Sequence, residues 1–222
     1  LYPGSELWYR GALDELAMYN RALTAVEIQQ HYINGLNNQP YCQAAPPPSQ
    51  ACDNPPPGML GYWRFEGNLN DALGNYPATM GPSGGFTTGK IGQGLYGSRT
   101  CSNNVAAIVN GFPNLDSFTV EAWTNVIDIW QASLAVTKWA NRYGGPGFML
   151  TTNGYVYFVI NDGTKTRYVQ SPAVLAGSWY HLVGIRDKGN EIRLYVNGVK
   201  VGNVPDDVGA VANTQPLVFH GA

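Results

Sequence analysis

The sequence predicts an all-β protein: a two-sheet antiparallel sandwich with one short helix at residues 25–34. Composition supplies the first observation. Of 222 residues, 27 are Gly, 15 are Pro, 12% are aromatic and only 13% are charged, the profile of a Gly-punctuated β protein large enough for one sizeable core. The second is a series of β-branched and aromatic runs, each closed off by Gly, Asn, Asp or Pro. The third is the lack of any long helical pattern beside these many antiparallel candidates, which predicts two packed sheets.

From Glu6 to Leu23 the chain is rich in Leu, Trp, Tyr and Met. Leu13, Met18 and Leu23 are separated by Gly11 and charged residues, a pattern that suits one or two strands. Thr24 precedes Glu27 at the spacing of a capping box, so a short helix follows. Val26, Ile28, Tyr32 and Ile33 give it a partial apolar stripe, and Gly35 offers a left-handed stop. Two or three turns are unstable alone, so this helix must dock on something.

The next segment, "NNQPYCQAAPPPSQACDNPPPG" at residues 37–58, has two proline triplets and almost no core formers, and reads as an extended, semi-rigid connector. Cys42 and Cys52 bracket its middle and can close a small disulfide loop. Cysteine usage of this kind points outside the cell. Three is an odd number, so Cys101 is either a buried thiol or pairs with another chain. A disulfide, a neighbouring subunit or attached sugar would hold such a linker down.

From Met59 onward the strand signals are dense: "MLGYWRFEG", "SFTVEAWTNV", "SLAVTKW", "GYVYFVIND", "TRYVQS", "WYHLVGIRD" and "IRLYVNGVKVG". In the sixth of these, Trp179, His181, Val183 and Ile185 share one face and Tyr180, Leu182 and Gly184 the other. Asn197 and Gly198 both tolerate positive φ and mark a two-residue hairpin. The formal net charge of -2 argues against a nucleic-acid surface built on Lys and Arg. No apolar run is long enough to span a bilayer. The chain starts at Leu1 without Met or a secretory signal, as a mature form or a fragment would.

"SFTVEAW", "SWYHLVGIRDKGNEIRLYVNGVKVG", "PLVFHGA" and "YRGALDELAMYNRALTAVEIQQHY" resemble the laminin-G-like, concanavalin A-like jelly-roll domains of bacterial secreted proteins. "GYWRFEGNLNDALGN" followed by "GKIGQGLYG" resembles the start of the same domain. The order differs from the family's. There, a "LVFHGA" type of strand leads straight into a "GALDELAMYNRALTAVEI" type of strand and terminal helix, so residues 59–222 read as a jelly roll lacking its last strands and residues 1–36 as those strands and helix. A sandwich stopped at Ala222 would expose sheet edges and apolar surface that the N-terminal segment complements. That segment closes its own sandwich, enters a neighbouring copy by donor-strand complementation, or belongs to a tandem array. Linker stiffness favours the neighbour, and with it a head-to-tail filament or fibre of copies. The residues carrying that assembly are Trp8, Tyr9, Leu13, Leu16, Met18, Leu23 and Ile28.

The resemblance also raises catalysis, because related folds include glycoside hydrolases. A retaining hydrolase needs two carboxyl groups about 5 Å apart. No E-x-D-x-x-E pattern occurs; Asp14 and Glu15 are adjacent and expected on opposite faces, and Glu121 has no acidic partner at i+2 or i+4, so no enzyme is expected. His31, His181 and His220 are scattered, with no zinc spacing, and His181 reads as a packed strand residue. Many such domains hold Ca²⁺ near the first and last strands, which implies Glu66, Asp71, Asn75 and Asp14 as matching positions; as plain structure, Asp71 and Asn75 are turn formers and Asp14 caps a backbone turn. Lectin-like relatives bind glycans through exposed aromatics. Among 6 Trp and 14 Tyr, those next to Gly- and Asn-rich loops are Trp130, Trp139, Tyr143 and Tyr76. There is no N-x-S/T sequon, and the Ser/Thr/Pro-rich stretches leave O-linked sugar open. The expected function is an extracellular, non-enzymatic assembly unit, and the alternative is a carbohydrate-binding module with permuted strand order.

Overall fold

The computed structural model describes residues 10–44, 52–97, 105–127, 133–139, 145–152, 154–174 and 176–220. In chain order these form β1 (Gly11–Tyr19), α1 (Ala25–Leu36), β2 (Gln43–Ala44), β3 (Cys52–Asn54), β4 (Met59–Trp63), β5 (Thr79–Met80), β6 (Gly84–Thr88), β7 (Gln93–Gly97) and β8 (Ala107–Val109). There follow β9 (Phe118–Val126), β10 (Ser133–Trp139), β11 (Gly147–Thr152), β12 (Tyr155–Asn161), β13 (Thr166–Ala173), β14 (Trp179–Asp187), β15 (Glu191–Val196), β16 (Val199–Pro205) and β17 (Leu217–Phe219). The first sheet has eight strands, ordered β16-β15-β14-β9-β1-β7-β6 with β4 also on β1; the second has seven, ordered β13-β12-β11-β10-β17-β8-β5. The two stack as a jelly-roll sandwich.

Alternation along the strands builds the core between the sheets. Leu13, Leu16 and Met18 of β1 pack there with Trp63, Val120, Ala122, Leu150, Phe158, Ile160, Leu182, Leu217 and Phe219. The opposite face of the first sheet is covered by α1, giving a second buried layer of Ala17, Tyr19, Leu23, Ile28, Tyr41, Tyr62, Trp123, Val183 and Ile185. The division of β14 is the one expected, with Val183 and Ile185 in the outer layer and Leu182 in the inner core. Asn197 and Gly198 turn the β15–β16 hairpin at φ +51° and +76°.

β1 is central. It runs antiparallel to β9 along one edge, while the other edge is shared by β7, at Gly11–Leu13, and β4, at Leu16–Tyr19. In the single chain the N-terminal segment takes its place in this chain's own first sheet. The linker is not a simple extended rod. The Cys42–Cys52 disulfide forms as expected, β2 and β3 pair beside it, and Tyr41 is anchored in the outer layer, so the chain is turned back instead of carried away. Asn20 and Gly58, the two ends of the loop so closed, meet through a backbone hydrogen bond of 2.9 Å.

α1 carries the capping box read from Thr24 and Glu27, but it runs two residues past the expected end at 34. Gly35 is not a left-handed stop. It lies inside the helix because a Cβ there would sit 2.4 Å from the Trp123 indole, and the cap is Asn37. The docked face is Ile28, His31 and Gly35, whereas Val26 is 79% exposed and Ile33 39%, so the stripe expected from those two is not the buried one.

Candidate functional site

Three clusters of polar or aromatic side chains stand out, and a bulge in β1 creates the first. Asp14 pairs with Trp123 and Ala17 with Glu121, three steps on β1 against two on β9, and Glu15 takes φ +49°. The extra residue lets Leu13 and Leu16 both face the inter-sheet core and turns Asp14 and Glu15 both to the outer side. The expectation that these neighbours point to opposite faces fails for that reason. Both are fully buried. Burial, then the adjacent Glu15 charge, pushes the Asp14 carboxyl up to about 9, and burial pushes Glu15 up to about 7. Glu15 accepts a hydrogen bond from the Tyr62 hydroxyl and lies 3.6 Å from Arg64 Nε.

Of the four expected cation ligands the structure brings two together. Asp14 Oδ2 accepts from the Ile91 amide at 2.8 Å and Glu66 Oε2 from that of Gln93 at 3.0 Å, so both carboxylates grip one short segment. That segment approaches them closely because Gly89 and Gly92 have no Cβ: one would lie 2.7 Å from Asp14 Oδ2, the other 2.3 Å from Glu66 Oε2. Asp71 is elsewhere. Its Oδ1 accepts from the amides of Tyr62 and Leu73, its Oδ2 from those of Asn75 and Tyr76, at 2.8–3.1 Å, which makes it the organiser of its own turn. Asn75 sits in that turn, exposed, with a long 3.5 Å contact to the Leu60 carbonyl. The donor types at Asp14 and Glu66 suit a hard cation, and Asp71 and Asn75 do not join them. Among the described residues no three His, Cys, Asp or Glu side chains converge as a metal centre.

The second cluster lies under α1. Glu121 is buried on β9 and accepts from Tyr19 Oη at 2.6 Å, while His31 Nδ1 of α1 is 3.0 Å and His181 Nε2 of β14 3.4 Å from its carboxylate. Despite burial, these partners hold Glu121 well below the usual carboxylate range. His31 is driven down by burial, but Glu121 outweighs this and raises it; His181 is lowered by burial. Tyr41 stacks on His31 and lies edge-on to His181, with ring centroids 5.0 and 5.8 Å apart. Two of the histidines that look scattered in the sequence, His31 and His181, thus meet here on Glu121, with His220 apart on the Leu95 carbonyl.

The third cluster is on the outer face of the second sheet. Met149 and Val159 are buried there against the half-buried Trp139 and Tyr157, and Tyr168 leans on Tyr157 with centroids 6.1 Å apart. Cross-strand pairing places Thr137 beside Met149, and Thr151 and Gln170 beside Tyr157. Of the expected glycan contacts, Trp139 is on this face. Tyr76 is not: its ring packs edge-on against Phe112 at 5.0 Å at the margin of the inner core, and its carbonyl accepts from Trp63 Nε1. Trp130 and Tyr143 lie outside the described residues, as do Trp8, Tyr9 and Cys101. Leu13, Leu16, Met18, Leu23 and Ile28 are all buried in this chain's own two layers. Tyr157 and Tyr168 were missed, although the alternation of "GYVYFVIND" about its buried Val156, Phe158 and Ile160 already turns Tyr157 outward. Glu15, Glu121 and His31 were missed because nothing in their local sequence marks them as buried.

Comparison with known proteins fits this geometry. Similar solved structures include the binding domain of Paraclostridial Mosquitocidal Protein 1 (TM-score 0.58, 14% identity, 72% of this chain and 42% of that one). Others are the binding domain of Botulinum neurotoxin DC in complex with rat synaptotagmin II (0.57, 12%, 73% and 43%) and the receptor binding domain of botulinum neurotoxin D (0.54, 14%, 68% and 41%). At these identities the likeness shows the fold, and the chain spans less than half the length of each. No curated protein matches it. The model of the family described as concanavalin A-like lectin/glucanases matches residues 100–222, more than half of the 222 residues. The chain belongs to the concanavalin A-like lectin/glucanases superfamily.

Proposed function

We propose that the chain is a non-catalytic binding module of a secreted or surface protein, and that it takes neutral carbohydrate on the open face of its second sheet. The observation that carries this is the chemistry of that face. Trp139, Tyr157 and Tyr168 offer ring surfaces, exposed Gln170 and Thr166 offer amide and hydroxyl groups, and none of the outward positions described on β10–β13 is Asp, Glu, Lys or Arg. Aromatic rings interleaved with uncharged hydrogen-bonding groups match the apolar and hydroxyl faces of a pyranose. The similar structures are themselves binding domains, and the carboxylates that do come together, Asp14 and Glu15, are buried away from any glycosidic bond. The disulfide supports an oxidising compartment. Among the described residues no helix is long and apolar enough to cross a membrane. A glycan array followed by titration tests the reading: Tyr157→Ala and Tyr168→Ala each weaken binding by up to roughly tenfold with the fold intact. Binding unchanged in both variants sinks it.

Ca²⁺ belongs to the same proposal, with Asp14 and Glu66 as its carboxylate ligands. A cation there offsets the repulsion of carboxylates crowded round one turn, so added Ca²⁺ raises Tm, and Asp14→Asn abolishes the rise. A Tm indifferent to Ca²⁺ and to chelator removes the metal.

Head-to-tail assembly by strand exchange is a second reading, favoured by one observation. β1 begins beside β7, with Gly11 against Gly97 and Leu13 against Leu95, and His220, just after β17, bonds the carbonyl of the same Leu95 at 3.1 Å. A copy of β1 arriving from another chain or repeat meets the same β7 and β9 edges. Light scattering across a hundredfold concentration range decides the point: exchange gives growing oligomers, and a persistent monomer excludes it.

A further inference from the structure

Beside the outer layer a groove of about 570 Å³ opens between Arg64 and the turn that Asp71 organises. Asn70, Leu73 and Pro77 line it with Arg64, and its size lies within the range of small-ligand sites. We propose that this groove binds an acidic sugar, with the sugar carboxylate held by the Arg64 guanidinium. This rests on the carbohydrate reading above and adds a second subsite, on the other sheet.

The argument begins at Arg64. Its side chain is 14% exposed, and among the described residues its partner is Glu15, reached by Nε at 3.6 Å, longer than a hydrogen bond. Glu15 is already served by the Tyr62 hydroxyl. The guanidinium thus lies at the groove wall, near Glu15 through Nε, and its planar fork of terminal N–H groups matches a carboxylate in bidentate fashion. The opposite rim is rigid. Asp71 spends its carboxylate on four backbone amides, and Gly74 turns the chain at φ +78°. That bonding pre-forms the rim and satisfies the one acidic side chain that lines it. Leu73 and Pro77 give the C–H face of a ring an apolar wall, and exposed Asn70 gives its hydroxyls an amide.

The charge count narrows the class. One Arg stands between Glu15 behind it and Asp71 on the opposite rim, so a monoanion gains its pairing while a phosphate dianion meets more repulsion than one guanidinium relieves. A uronic-acid-type sugar has the right charge and a ring for the apolar wall.

The test is calorimetric titration of the full chain with a glucuronate-terminated oligosaccharide and its glucose-terminated twin, at low and at physiological salt. The acidic sugar is expected to bind roughly tenfold or more tightly than the neutral one, with the advantage shrinking as salt rises. Arg64→Gln removes the advantage. Because that change also strips Glu15 of its countercharge, Asn70→Asp serves as a variant that leaves the buried pair alone: it puts a negative charge on an exposed rim position and also erases the preference. Equal affinity for the two sugars, or a preference untouched by Asn70→Asp, overturns the proposal. Neutral binding lost in Tyr157→Ala without any acidic preference overturns the groove and leaves the open face standing. An Arg64-dependent acidic preference that survives Tyr157→Ala supports the groove even where the open face fails, and absence of binding by either sugar sinks both.

Discussion

The two buried layers that flank the first sheet are built by different means. Between the sheets, Leu13, Leu16, Met18, Phe158 and Phe219 make an apolar core in which shape and volume decide the fit. Under α1, Glu121, His31, His181, Tyr19, Tyr41 and Tyr62 are just as buried but are held by hydrogen bonds and ring stacking. An apolar core loses its contacts gradually as side chains shrink. A buried polar layer loses one partner and leaves the others unsatisfied, so its failures are larger per residue and more local. β1 belongs to both layers, because its bulge lets one strand send leucines inward and carboxylates outward.

The largest expected effect therefore comes from the polar side. Glu121→Ala removes the acceptor of Tyr19 and the partner of His31 and His181 at once, and is expected to cost about 3–5 kcal/mol, at the upper end of what Leu16→Ala costs in the apolar core. Urea denaturation of the two variants side by side measures this. If Glu121→Ala costs less than about 1 kcal/mol, the carboxylate is not the centre of that layer.

Next comes the clasp. Replacing Cys42 with Ser opens the disulfide that turns the linker back, at a cost of about 2–4 kcal/mol. The damage should fall unevenly. Hydrogen exchange should rise in α1 and around Tyr41 while β10–β13 stay protected, which separates the outer layer from the inner core directly.

Gly35→Ala is smaller and its sign is informative. On helix propensity alone Ala improves an interior position by about 1 kcal/mol. Here its methyl enters the Trp123 ring, so a net loss of about 1–3 kcal/mol is expected. A gain would mean that α1 can lift from the sheet at no cost.

The same contrast governs what the sequence reveals. Period-2 alternation made β14 and its two faces readable, the Asn197–Gly198 turn followed from its φ requirement, and the Thr24–Glu27 pair located the start of α1. The motif blocks led to an expectation of sandwich strands in the N-terminal segment, and β1 lies in the first sheet against β9. What stayed hidden was non-local. The bulge at Glu15 depends on the register against β9, 100 residues away and more, and no short window shows that two adjacent acids share a face. Likewise Glu121, His31 and His181 are unremarkable in their own segments and become a network only when three elements stack. Gly35 read as a stop because a close approach by Trp123 leaves no local trace.

The last and smallest effect is the pH dependence of the outer layer, where the signs oppose. Glu121 is held below its ordinary value of 4.5, so its contribution is present above that pH and lost as pH falls toward the folded value. His31 is raised above 6.5, so its contribution is complete below 6.5 and lost as pH rises through its folded value. His181 is lowered from 6.5 by burial; the unfolded chain takes up its proton first, and stability declines as pH falls below 6.5. The groups facing this cluster are Tyr19 from β1, Tyr41 from the linker, Tyr32 and Glu27 from α1, and Arg21 before it. The tyrosines Tyr19 and Tyr41 are pushed well above their ordinary range and stay neutral throughout. Within this cluster Glu121 and His181 therefore weaken stability on the acid side and His31 on the alkaline side, where the buried carboxyls Asp14 and Glu15, raised to about 9 and about 7, add to the decline because the unfolded chain gives up their protons first. His31→Gln keeps a hydrogen-bonding side chain but cannot charge, so its urea midpoint should fall in neutral solution and its alkaline slope should be shallower than that of the unaltered chain, by the share that His31 supplies. A variant whose alkaline slope is undiminished would place all of it in other groups, Asp14 and Glu15 first, and leave His31 as a packing residue of the helix.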